Sequence, residues 1–188
     1  MKIIALGNGK SGLRVAESIT KYTNCSDFLY IYEYAPHNHF DKFLKAHYSS
    51  IKNDLNELLL KAEIIIMCGW QYKIPKLITH LGNCYNIHPS LLPSYRGITS
   101  FDEQLKNNEM TFGITFHKAN HIIDGGPIFK QISYSAIDEE DAFLKGLKCA
   151  EYLVKIFFHF YPNIKCHSQS KRNLRENVLI DWKELEFN

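Results

Sequence analysis

The run AEIIIMCG, from Ala62 to Gly69, constrains the fold more than any other stretch of the chain. After Glu63 it is apolar without a break, carries three isoleucines in succession and ends on a glycine. A strand with one face in water alternates apolar and polar residues, whereas a strand covered on both faces does not. Strands covered in this way belong to parallel sheets, whose connections cross over through a dozen or more residues, usually as helices. The rest of the chain therefore has to supply helices between strands.

It does so in order. Ile3 to Leu6 read as a buried first strand, followed by a glycine turn and a helix to about Lys21. FLYIYEY, Phe28 to Tyr34, is strand-like in its aromatic and β-branched content, and APHNHFDKF after it reads as a loop. Asp54 opens a helix over Leu55 to Lys61, and residues Pro75 to His80 look helical. Cys84 to Ile87 form the next strand, and a helix is expected between Thr99 and Asn107. TFGITFHKA and PIFKQISYS alternate as strands near a sheet edge. From Asp138 to Tyr161 an acidic first turn, DEED, and apolar residues at helical spacing predict one long helix, which Pro162 ends. NIKCHSQSKRNLREN, from Asn163, is polar and basic and reads as a loop. The predicted class is α/β, a mainly parallel sheet with helices on both faces. Residues 1–162 make one domain, and 163–188 an extension packing on it or trailing from it.

Composition narrows the partners. With 188 residues the chain can bury one substantial core. A net charge of +2 is too weak to argue for nucleic acid or a membrane surface. The apolar start is too short for a signal peptide or a span. Five scattered cysteines, with no C-x-x-C pair, fit reduced thiols in a cytoplasmic setting and neither a disulfide framework nor a zinc site. No metal is expected.

The first glycines, Gly7, Gly9 and Gly12, satisfy G-x-G-x-x-G between a strand and a helix, and Glu33 lies where a ribose-binding acid would stand. Three readings stay open. The turn can belong to a dinucleotide-binding protein; it can be the tight strand-to-helix turn of any doubly wound sheet; or the helix start at Gly9, Lys10 and Ser11 can hold a substrate phosphate. The P-loop spacing is absent.

Two further stretches carry chemistry. In NCYNIHPSLLPSYRG, Asn86 and His88 are two apart on a strand and face the same way. In FHKANHIIDGGPIF, Asp124 precedes Gly125, Gly126 and Pro127, a combination that builds a tight turn. Taken singly, Asp124 reads as a turn former and His88 as a structural histidine. Spacing does not say whether the fold joins them. Ser90 lacks the G-x-S-x-G elbow of a hydrolase. His117 is most simply a strand residue.

Taken together, NIHPSLLPSYRG, GITFHKANHIIDGGPIF and AEIIIMCGWQYKIP resemble the folate-dependent formyltransferases over most of residues 1 to 160. The resemblance implies a Rossmann-like catalytic domain and 10-formyltetrahydrofolate as formyl donor. It implies that Asn86 and His88 stabilise the oxyanion formed when a primary amine attacks the formyl carbon, at about 3 kcal/mol per donor. Asp124 would hold the imidazole in position, raise its pKa and help move the proton from the attacking amine to the departing folate nitrogen. The pterin would lie beside Gln71, Tyr72, Lys73 and Ile74, and beside Asn120, His121, Ile122 and Ile123. Gly9, Lys10, Ser11, Tyr95 and Arg96 would contact the amine substrate. This chain resembles the sugar members in YRG, Tyr95 to Gly97, and in LIDW, Leu179 to Trp182, which directs the expectation to a nucleotide-linked amino sugar. The glycinamide ribonucleotide enzyme is the alternative, although Lys10, Ser11 and Gly12 depart from its first turn. The length and weak charge argue against the RNA-binding domain of the methionyl-tRNA members. A family member that binds folate or a nucleotide without transferring formyl is the non-enzymatic alternative. Lys171 to Arg175 are either a solvated tail or a diphosphate contact.

Overall fold

The computed structural model describes residues 1–34, 44–169 and 179–185. The elements run β1 (Lys2–Gly7), α1 (Gly9–Tyr22), β2 (Asp27–Tyr32), β3 (Leu44–His47), α2 (Tyr48–Ile51), α3 (Leu55–Leu60), β4 (Ile64–Cys68), α4 (Lys76–His80), β5 (Cys84–His88), α5 (Ser100–Lys106), β6 (Thr111–Lys118), β7 (Ile128–Ser135), α6 (Glu139–Phe160) and β8 (Leu179–Asp181), with a 3-10 turn at Trp182–Glu184. The expected loop at 35–43 and the basic segment Lys171 to Arg175 lie outside the described residues. No described helix is long and apolar enough to cross a membrane.

The described strands form one sheet in the order β3-β2-β1-β4-β5-β6-β7-β8. From β3 to β5 every pairing is parallel; β6 runs antiparallel to β5 and β7, and β8 returns parallel to β7. The sheet is α/β and mainly parallel, as the apolar run requires. Its two faces can be read residue by residue. Ile3, Ala5, Ile64 and Ile66 pack with Leu13, Ile19, Leu153 and Phe157 of α1 and α6. Ile4, Leu6, Ile65 and Met67 pack with Leu55, Leu59 and Ile78 of α3 and α4. Alternate residues of β1 and β4 thus enter opposite cores, which is why neither strand alternates in polarity.

The helix signals hold. Asp138 caps α6, its side chain accepting from Asp141 N at 2.8 Å, and the first turn is acidic. The first glycine turn serves packing: a Cβ on Gly7 would lie 2.7 Å from Cys68 O and from Gly12 Cα. This supports the strand-to-helix reading of the motif. Glu33 is engaged elsewhere, accepting from Ser49 Oγ at 2.7 Å and Ser49 N at 3.2 Å. Two elements escape the sequence reading, β3 and α2, because LKAH and YSSI are short and without an apolar period. β8 is a third: LIDW stood out as a motif, yet Leu179–Asp181 form the sheet edge. β7 is therefore one strand in from the edge, and β6 is interior.

Candidate active site

β5 ends where the site begins. Its antiparallel neighbour sets Asn86 opposite His117 and His88 opposite Thr115. Directly paired residues share a face, so Asn86 and His117 project together. Past β6, the chain turns through residues 119–127. A Cβ on Gly126 would overlap Lys118 O at 1.7 Å, so only glycine lets this turn fold back on β6. Asp124 in that turn holds φ +48°, a left-handed conformation uncommon for a residue with a side chain.

That turn brings the Asp124 carboxylate into the middle of the group. Oδ1 accepts from Asn86 Nδ2 at 3.0 Å, and Oδ2 accepts from Gly97 N at 2.9 Å. His88 Nδ1 stands 3.4 Å from Oδ2, and His117 Nε2 stands 3.4 Å from Oδ1. His88 is 4% exposed, so its partners decide its protonation. Its Nε2 lies 2.7 Å from the Tyr95 carbonyl, which can only accept, so Nε2 carries the hydrogen. Burial holds the imidazole below its ordinary value of 6.5, against the raising influence of Asp124 and the Tyr95 carbonyl. The neutral ring then turns an unprotonated Nδ1 toward the carboxylate, with no hydrogen between the two. Burial pushes Asp124 up, but the hydrogen bond from His117, the His88 ring and the Gly97 N–H together bring it down to about 2. The pair is therefore a buried base beside a fixed negative charge.

His117 is the member that sequence reasoning passed over as a strand residue. Its Nδ1 donates to Lys118 O at 3.1 Å, and Nε2 lies 3.3 Å from Asn86 Nδ2. Nε2 thus stands between the Asn86 amide and the Asp124 carboxylate. The register partner of Asn86 could have signalled it, had the β5–β6 pairing been known.

A cavity of about 430 Å³ opens beside this cluster. Its wall includes Asn86, His88, His117 and Asp124, together with Gln71, Tyr72, Lys73, Ile74, Asn120, His121, Ile122 and Ile123. The two stretches expected to border a pterin thus meet on one cavity. Gly9, Lys10, Ser11, Tyr95 and Arg96 are not part of that wall. Gly9 N donates to Tyr34 O at 2.9 Å, and Ser11 packs against Gly69, which does line the cavity. Tyr95 contributes its carbonyl, while its hydroxyl bonds Glu109 and Asn107. Arg96 is exposed and donates to Gln169 Oε1 at 2.6 Å.

The fold and site define an α/β domain with a buried Asn–His–Asp cluster on a small-molecule-sized cavity, and comparison with known proteins gives the family. The formyl transferase family model matches residues 28–145, and the chain belongs to that family. It is 44% identical over 92 residues to methionyl-tRNA formyltransferase of Thermotoga maritima, covering 47% of this chain and 29% of that protein. The chain thus matches under a third of that relative's length. In fold it resembles phosphoribosylglycinamide formyltransferase of Anaplasma phagocytophilum, with a TM-score of 0.69 at 16% identity over 96% and 97% of the two chains. It also resembles an N-formyltransferase of Helicobacter canadensis solved with folinic acid and dTDP-3-aminofucose, with a TM-score of 0.67 at 18% identity over 99% and 72%.

Proposed function

We propose that the chain transfers a formyl group from 10-formyltetrahydrofolate to a primary amine on a nucleotide-linked amino sugar. The observation that carries formyl transfer is the convergence of Asn86, His88 and Asp124 on one cavity in a chain of this family. The cavity suits a folate donor. Its volume is in the small-molecule range, and Trp70 on its wall has a buried Nε1–H with no hydrogen-bond partner among the described residues. Bound there, the donor supplies an activated formyl carbon on N10.

The protein's own groups do the rest. His88 Nδ1, unprotonated and buried, takes the proton that the attacking amine loses and passes it to the departing N10 as the bond between N10 and the formyl carbon breaks. Asp124, ionised, stabilises the imidazolium so formed. Asn86 presents Nδ2 hydrogens now directed at Asp124 and His117; turning one toward the formyl oxygen meets the charge that grows there.

The sugar assignment rests on YRG and LIDW, on exposed Arg96 beside the site, and on the fold likeness to a protein bound to dTDP-3-aminofucose. Glycinamide ribonucleotide is the second reading, favoured by near-complete mutual coverage with the Anaplasma phagocytophilum enzyme. A reducing, cytoplasmic setting is part of the proposal, supported by five free thiols. The test is release of tetrahydrofolate with glycinamide ribonucleotide, methionyl-tRNA and several nucleotide-linked 3-amino and 4-amino sugars, the formamide being identified by mass. Turnover confined to a sugar nucleotide is the expected result; turnover with either other amine reassigns the substrate.

A further inference from the structure

The segment after α6 turns back over the active site. His167 pairs with Ile128 through two backbone hydrogen bonds of 2.7 Å, which fasten the segment to the start of β7. Two residues on, Gln169 Nε2 donates to Asp124 O at 2.7 Å and to Gly126 O at 2.8 Å. Its Oε1 accepts from Arg96 Nη2 at 2.6 Å. One carboxamide therefore spends both kinds of hydrogen-bonding atom on the two loops that carry the site.

Those loops need a tie. Asp124 sits at φ +48°, a conformation that persists in a non-glycine residue only where its surroundings enforce it. Gln169 grips the carbonyls on either side of Gly125, next to that strained residue. Its other end holds Arg96, whose neighbour Gly97 donates to the Asp124 carboxylate. A shift in either loop changes the 3.4 Å approach of His88 Nδ1 to Asp124.

We propose that Gln169 is a positioning residue: it locks the Asp124 turn and the Arg96 loop in the one arrangement that sets Asp124 against His88. It touches none of the reacting groups itself. The kinetic part rests on the formyl-transfer reading above; the geometric part does not.

Gln169→Leu, neutral and similar in size, removes both donors and the acceptor. In the full chain it is expected to lower kcat roughly 10- to 100-fold, as misplacement of reacting groups by about 1 Å does, with KM for the folate donor changing far less. The His88 titration, read on the imidazole nitrogens by NMR in the protein alone, is expected to move down as Asp124 draws away. Gln169→Ala gives the same two readouts should Gln169→Leu misfold. A lowered melting temperature with kcat and the His88 titration unchanged would make Gln169 a mere staple and overturn the proposal. A fall in kcat without movement of the His88 titration overturns it as well. A moved titration in a protein that formylates no amine leaves the positioning role standing and sinks the assigned activity.

Discussion

At the scale of single residues, the site works by holding opposed tendencies together. His88 is kept neutral by burial while Asp124 stays ionised, which under the proposed reaction leaves a base ready for the proton of an incoming amine. His88→Asn is expected to abolish transfer, and Asn86→Ala to lower kcat about 10²- to 10³-fold, the loss typical of one oxyanion donor; steady-state rates of tetrahydrofolate release measure both. The same shifts act on stability. A histidine lowered on folding contributes stability that is complete above its ordinary 6.5 and is lost as pH falls below it. Asp124, lowered to about 2 from 3.8, contributes above 3.8 and loses that contribution only as pH falls toward 2. Urea midpoints should therefore decline below pH 6.5, and His88→Asn should flatten the part of that decline nearest 6.5. An unchanged slope in the variant would place the titrating group elsewhere.

At the scale of elements, what could be read in advance follows the strength of the apolar pattern. β4 and α6 were unmistakable because each buries many consecutive or periodic side chains: Ile64, Ile65 and Ile66 are all 0% exposed. β3 and α2 have no such pattern and are held by pairing to β2 and by ring contacts such as Tyr48 on Tyr72 at 4.2 Å, which spacing does not reveal. Within the site, Asn86, His88 and Asp124 were singled out by two contiguous stretches that resemble the formyltransferases, not by any spacing between them. His117 and Gln169 were not, since each acts through a partner that only tertiary pairing supplies: Asn86 across the β5–β6 ladder, and the Asp124 turn 45 residues earlier. The turn is itself testable as an element. Gly126→Ala cannot keep the 1.7 Å approach to Lys118 O, so the turn must move off β6. The expected outcome is a folded protein by circular dichroism with transfer lost to a degree near that of Asp124→Asn. Full activity would show that the turn has another conformation compatible with catalysis.

At the scale of the whole molecule, the sheet separates support from chemistry. The large core between the sheet and α1 and α6 gathers Phe116, Phe129 and Phe157 into one aromatic cluster, with ring centroids 4.8 to 5.8 Å apart. The site lies past the carboxyl ends of β4 and β5, the crevice position favoured for ligands in open α/β sheets. Binding in that crevice should therefore stabilise the fold whether or not chemistry follows. Folinic acid carries its formyl group on N5 instead of N10, and the Helicobacter canadensis neighbour was solved with it bound. At about 100 times its dissociation constant, a ligand selective for the native state adds about 2.7 kcal/mol, roughly 5 to 10 °C in melting temperature for a chain of this size. His88→Asn leaves the cavity wall along Gln71 to Ile74 and Asn120 to Ile123 intact, so it should keep most of that rise while transferring nothing. A rise in the native protein that vanishes in the variant would mean that His88 holds the donor in place, and catalysis would then have to be assigned to Asp124 and His117. No rise in either protein would remove folate from the cavity, and the proposed reaction with it.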